Sequence, residues 1–204
     1  DGKLLEFDEL IKRGLKRDGN LGLPRLAILK ADVDNVELIL NHGLPNLRLS
    51  QLTAMSRTLD LFFGGVLPEL VKTEFPDTYI IYAGGDDLLV MGYWKDIIAL
   101  SVRINQLFRQ WCGNHPSLTL SAGIALIKQK YPIHRGAEMA TEALAKSKNY
   151  RDDQGNLVKN AVTVFETTVD WQELAELFNT AEQLNTYLRD DYSPLTTTFV
   201  HRLL

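Results

Sequence analysis

Two strand-like runs, TYIIYA (78–83) and LLVMGY (88–93), are separated only by GGDD. So short a connection predicts an antiparallel hairpin, with glycine supplying the positive φ of the tight turn. The tip carries two adjacent carboxylates, Asp86 and Asp87, between β-branched and aromatic segments that favour burial. Any fold for this chain must therefore place an acidic hairpin tip at a sheet edge.

The other elements follow from periodicity. Leu4, Phe7, Ile11 and Leu15 make one stripe of an amphipathic helix over 4–17, and DGNLGLP (18–24) is a turn-rich linker. RLAILKA (25–31) predicts a buried strand that ends in DVDN (32–35), where Asp34 or Asn35 would cap a following helix. Helical spacing runs from Leu49 to about Val66, with Gly64-Gly65 loosening its end. A clear helix spans 95–111, a strand 117–127, and a helix opened by Pro132 runs to Lys148. A polar loop or small hairpin (149–160) precedes a final strand, AVTVFE (161–166), and helix returns over 170–190.

The order β-α-α-β-β-α-β-α-β contains βαββαβ, the split pattern of ferredoxin-like α+β folds. The expected organisation is an N-terminal helix and linker over 1–24, a palm-like domain over 25–168, and a helical segment from 169 to 204. The chain begins with Asp rather than Met and ends on FVHRLL, which suggests a piece of a longer protein.

Composition excludes several classes. The net charge of −4 gives no electrostatic case for non-specific nucleic-acid binding. One cysteine, Cys112, rules out an internal disulfide and a cysteine zinc cluster and fits a reducing, cytoplasmic setting. No run approaches the roughly 18 apolar residues of a membrane span. His42, His115, His134 and His201 show no ligand spacing.

Strand order gives the acidic tip a partner. In a βαββαβ sheet the first strand lies beside the central hairpin, so Asp32, at the end of the first strand, arrives at the same edge as Asp86 and Asp87. Clustered carboxylates repel unless a cation neutralises them. Oxygen donors of this kind suit Mg²⁺ or Mn²⁺, which bridge carboxylates and substrate phosphates. The competing reading is a solvated hairpin tip, since Asp and Gly are also ordinary turn residues.

ADVDN (31–35) together with IYAGGDDLLVMGYW (81–94) resembles the large polymerase/cyclase-like subunit of type III CRISPR effector complexes, most like the Csm type. LTLSAGIAL (118–126), EALAKSKN (142–149) and KNAVTVFE (159–166) extend the resemblance over roughly 25–168, its second palm domain, and the segment after 170 looks like the start of its C-terminal helical domain. The resemblance implies conversion of ATP into 3′–5′ cyclic oligoadenylates when the complex binds target RNA. It implies two metal ions held by Asp32, Asp86, Asp87 and the Val33 carbonyl. It implies a nucleotide approached closely at Gly84 and Gly85, with Lys148 on the triphosphate, Lys159 a weaker phosphate candidate and Ser121 near the adenine. Other Csm-type subunits, guide RNA and target RNA are the implied partners. Two alternatives stay open: a diguanylate cyclase, whose GGDEF signature differs from GGDDL here, and a non-catalytic palm scaffold.

Overall fold

The computed structural model describes residues 6–19, 22–39, 49–152 and 154–189. The predicted Leu4, the FVHRLL end and His42 and His201 lie outside them. The chain separates into two compact units, Asp1–Trp171 and Gln172–Leu204.

The first unit is built on a mixed six-stranded sheet, β2-β3-β1-β4-β5-β6. The strands are β1 (Arg25–Val33), β2 (Tyr79–Gly84), β3 (Asp87–Tyr93), β4 (Leu120–Lys128), β5 (Ala161–Val164) and β6 (Thr167–Asp170). The first four strands adopt the ferredoxin-like α+β order, with β1 between β3 and β4 and antiparallel to both. β5 adds in parallel to β4. The helices are α1 (Phe7–Arg17), a short α2 (Val36–Leu38), α3 (Leu49–Leu61), α4 (Leu67–Glu74), α5 (Trp94–Trp111), α6 (Ile133–Ser147) and α7 (Trp171–Arg189).

Both sheet faces are covered, which explains why β1 reads as a continuous apolar run rather than an alternating one. Leu26 and Ile28 join Met91, Ala125 and Ile127 on one face, packed with Leu10 and Ile11 of α1 and Ala140 of α6. The first helix is thus part of this core, not an appendage before a linker. The other face, that of Ala27 and Gly92, meets α5: a Cβ added at Gly92 would lie 3.3 Å from Ile97.

Two expectations are corrected. The 49–66 helix does not end at its glycines: Phe62–Val66 form a π turn and α4 carries the helix on to Glu74. Phe62 and Phe63 are buried in that turn and stack edge-on with each other, so aromatic packing holds what two glycines weaken. AVTVFE is not the last strand either. Phe165 and Glu166, with φ of 51° and 65°, make a two-residue turn into β6.

Candidate functional site

Register fixes the site. Asp32 stands directly opposite Asp87 on β3 and Ser121 on β4, so these side chains share the α6-covered face of the sheet. The Gly85-Asp86 turn follows Gly84, which pairs with Asp87. The Val33 N–H donates to the Asp86 carbonyl at 2.8 Å, tying the hairpin tip to the end of β1. The predicted edge is therefore present, with Asp32, Val33, Gly84, Gly85, Asp86 and Asp87 at one place.

Burial is graded across the carboxylates. Asp86 is exposed and Asp87 half-buried, while the Asp32 side chain keeps 25% of its exposure. Burial pushes the Asp32 carboxyl above its ordinary range; Lys148 opposes this, and the neighbouring Asp86 and Asp34 add to it. One Asp87 oxygen, Oδ1, is buried without a hydrogen-bond partner among the described residues. An orphaned carboxylate oxygen beside a desolvated second carboxylate suits a hard divalent cation. Among the described residues no group of three or more His, Cys, Asp or Glu side chains is arranged to hold a metal by itself.

The glycines have a local reason. Gly85 has φ of +62°, and among the described residues a Cβ there would meet nothing within 4 Å. Its N–H donates to Asp60 Oδ1 on α3 at 3.2 Å, and the Tyr82 hydroxyl donates to the Gly84 carbonyl at 3.1 Å. The tip is braced from two sides while its outer surface stays open.

Lys148, the C-cap of α6, is ion-paired with Asp32. Its position is set by Ser147, whose buried hydroxyl donates to the Ala122 carbonyl at 2.5 Å and lies 2.7 Å from Thr163 Oγ1. Gly123 lets α6 approach β4 closely: a Cβ there would fall 2.2 Å from the Leu144 nitrogen.

The Lys159 ammonium donates to Asn35 Oδ1 at 3.1 Å, just past the end of β1. Ser121 is fully buried and donates its hydroxyl to Asp34, so it presents no accessible atom to an adenine. Asp34 is not a helix cap. It is fully buried, and Asn35, the N-cap of α2, makes no side-chain cap bond. Asp34, Asp60 and Ser147 were not singled out as site residues in the sequence. Their partners lie on other elements, and no local spacing signals them.

The second palm domain of Cas10/Cmr2, as a family model, matches residues 25–158. A Cas10/Csm1 protein of subtype III-A from Methanocaldococcus jannaschii, described as a CRISPR-system single-strand-specific deoxyribonuclease, is 36% identical over 83% of this chain and 23% of its own length. The corresponding protein of Mycobacterium tuberculosis is 30% identical over 93% of this chain and 24% of its own. The crystal structure of an apo Csm1–Csm4 cassette superposes with a TM-score of 0.72 at 27% identity, over 90% of this chain and 27% of that one. A Csm1–Csm4 cassette in complex with one ATP gives 0.70 at 26% identity over 88% of this chain and 27% of that one. The cassette in complex with cA4 gives 0.71 at 26% identity, over 88% and 27%. The chain spans about a quarter of the length of these relatives.

Proposed function

Because the chain belongs to the Cas10/Cmr2 second palm domain family, we propose that it is the nucleotide-binding palm of a subtype III-A effector subunit and that it makes 3′–5′ cyclic oligoadenylates from ATP. The observation that carries this reading is the Asp32–Asp87 cross-strand pair, one member desolvated and ion-paired with Lys148, the other with an orphaned oxygen. A purely structural palm gains nothing from burying acidic oxygens together. The cassettes bound to ATP and to cA4 support a nucleotide site in relatives of this fold.

In this reading each 3′-hydroxyl attacks the α-phosphorus of the next ATP, and the α–β phosphoanhydride bond breaks to release pyrophosphate. Asp32, Asp86, Asp87 and the Val33 carbonyl would hold Mg²⁺ or Mn²⁺, which would supply activation of the nucleophile and neutralisation of the charge that builds on phosphate. Lys148 shifts its ammonium from Asp32 toward the triphosphate, and Lys159 supplies a second cation. Gly84 and Gly85 leave room for the nucleotide to lie close to the backbone. Catalysis is then mostly positioning and electrostatics. The domain works in a longer subunit that assembles with other Csm-type subunits, guide RNA and target RNA. The helix that begins at Trp171, directly after β6, opens the next domain of that subunit.

The experiment uses the full parent subunit in its target-RNA-bound complex, supplied with labelled ATP and Mg²⁺ or Mn²⁺. Wild type yields cyclic oligoadenylates and Asp86→Ala/Asp87→Ala yields none. No product from an intact, RNA-bound wild-type complex overturns the reading.

A further inference from the structure

Asp34 is among the fully buried residues of the chain, two positions beyond Asp32. A buried carboxyl is expensive unless every lone pair is used. Here Thr119 Oγ1 donates at 2.7 Å, Ser121 Oγ at 2.9 Å and the Asn160 backbone N–H at 3.2 Å. Its own N–H donates to the Thr119 carbonyl at 2.8 Å. One side chain thus fastens the exit of β1, the entry of β4 and the segment before β5.

That last segment is backbone-strained. Lys159 and Asn160 are successive non-glycine residues at φ of 53° and 47°, a sparsely populated region that persists only when its surroundings impose it. The Asn160 N–H bond to Asp34 is such a constraint. It turns Lys159 back toward the β1 end, where the ammonium meets Asn35 Oδ1. Asn35 is itself left-handed at 63°, with its amide donated to the Ser117 carbonyl at 3.2 Å. Two links therefore join Asp34 to Lys159, one through Asn160 and one through the adjoining Asn35.

We propose that Asp34 is a positioning residue: by capturing the Asn160 N–H it holds the Lys159 ammonium at the carboxylate edge, where that ammonium binds the polyphosphate of the incoming nucleotide. This rests on the nucleotide-binding reading above and adds to it the device that aims its second lysine. Asp34 touches no substrate; its effect on polyphosphate binding passes through Lys159.

The test uses the full subunit in its RNA-bound complex, with ATP as the probe. Asp34→Asn and Lys159→Met each raise the KM for ATP by about 5–10-fold and leave kcat within about twofold, the pattern of lost binding rather than lost chemistry. The double variant is no worse than Lys159→Met alone, within about twofold, because the two residues act in series. Amide exchange at Asn160 quickens in Asp34→Asn. Thr119→Val removes one Asp34 donor and shows the same pattern more weakly, which keeps the test decisive if Asp34→Asn does not fold. Multiplicative effects in the double variant, a fall in kcat with KM unchanged, or unaltered exchange at Asn160 would each overturn the proposal. A wild-type complex that makes no product defeats the underlying reading instead, and the exchange measurement still decides whether Asp34 holds the segment.

Discussion

The Lys148 ammonium, at the end of α6, is ion-paired with the Asp32 carboxylate at the end of β1, 116 residues away in sequence. The pair joins the two elements that deliver the acidic edge and the cation opposite it. Its side chains keep 33% and 25% of their exposure, so a ligand can reach both. In the proposed reaction Lys148 exchanges a carboxylate for a phosphate, keeping its charge satisfied throughout. Replacing it with Met removes a charge-assisted contact worth about 1.5–3 kcal/mol, or roughly 10–150-fold in kcat/KM. Lys148→Arg retains most of the activity. Steady-state kinetics on the assembled complex reads both.

The same pair makes a prediction about stability that runs against activity. Burial raises the folded-state pKa of Asp32 above its unfolded value, Lys148 notwithstanding. The folded chain then holds that proton more tightly than the unfolded chain does. The resulting stabilisation is present below the unfolded pKa and is lost as pH rises through the folded one. At neutral pH the ionised, metal-free Asp32 therefore weakens the fold. Asp32→Asn, which cannot ionise, melts higher than wild type near pH 7 by about 2 °C, and its advantage shrinks as the solution is acidified into the carboxylate range. Thermal melts across pH in the presence of a chelator measure this, and an unchanged or lowered Tm at pH 7 counts against it.

A third expectation concerns how α6 is set. Gly123 faces the α6 backbone, and an added Cβ would lie 2.3 Å from the Ala140 carbonyl oxygen and 2.7 Å from the Ala143 carbonyl carbon. Backbone cannot swing aside as a flexible side chain can. Gly123→Ala therefore lifts α6 from β4, at a cost of about 1–3 kcal/mol or more. Because Lys148 ends that helix, the variant also loses nucleotide affinity, which Gly136→Ala does less. There the added Cβ at 2.7 Å meets the Cδ1 end of Ile28, which can turn away. Denaturant melts paired with ATP titration separate the two.

These relationships mark where the sequence was readable. The β2–β3 hairpin and its acidic tip were legible because the turn signal and both strands lie within 15 residues, Tyr79–Tyr93. Asp32 was legible once the βαββαβ order placed β1 beside that hairpin. β6 was not, since its turn uses Phe165 and Glu166 at positive φ where the familiar signal is Asn or Gly. The run of helix past Gly64-Gly65 was hidden because glycine propensity argues for a stop, while the burial of Phe62 and Phe63 that overrides it is tertiary. Asp34 looked like a cap because Asp after a strand usually is one. Its donors Thr119 and Ser121 sit 85 and 87 residues downstream, beyond any local pattern.

The tip itself yields the last prediction. Gly85 sits at φ of +62° with open space around its Cα, so a side chain there meets strain but no clash. Alanine at such a position costs about 1–2 kcal/mol, whereas asparagine tolerates the left-handed region and costs less. Gly85→Asn therefore keeps the fold nearly at wild-type stability, and Gly85→Ala loses about 1 kcal/mol by denaturant titration. For ATP the order changes. Both variants put atoms into the open surface left by the two glycines, and asparagine puts in more. If the nucleotide lies against that surface, Gly85→Asn loses more ATP affinity than Gly85→Ala although it is the better folded. Parallel losses of stability and affinity would instead mean that Gly85 serves only the turn, and the nucleotide would have to lie elsewhere along the Asp32 edge.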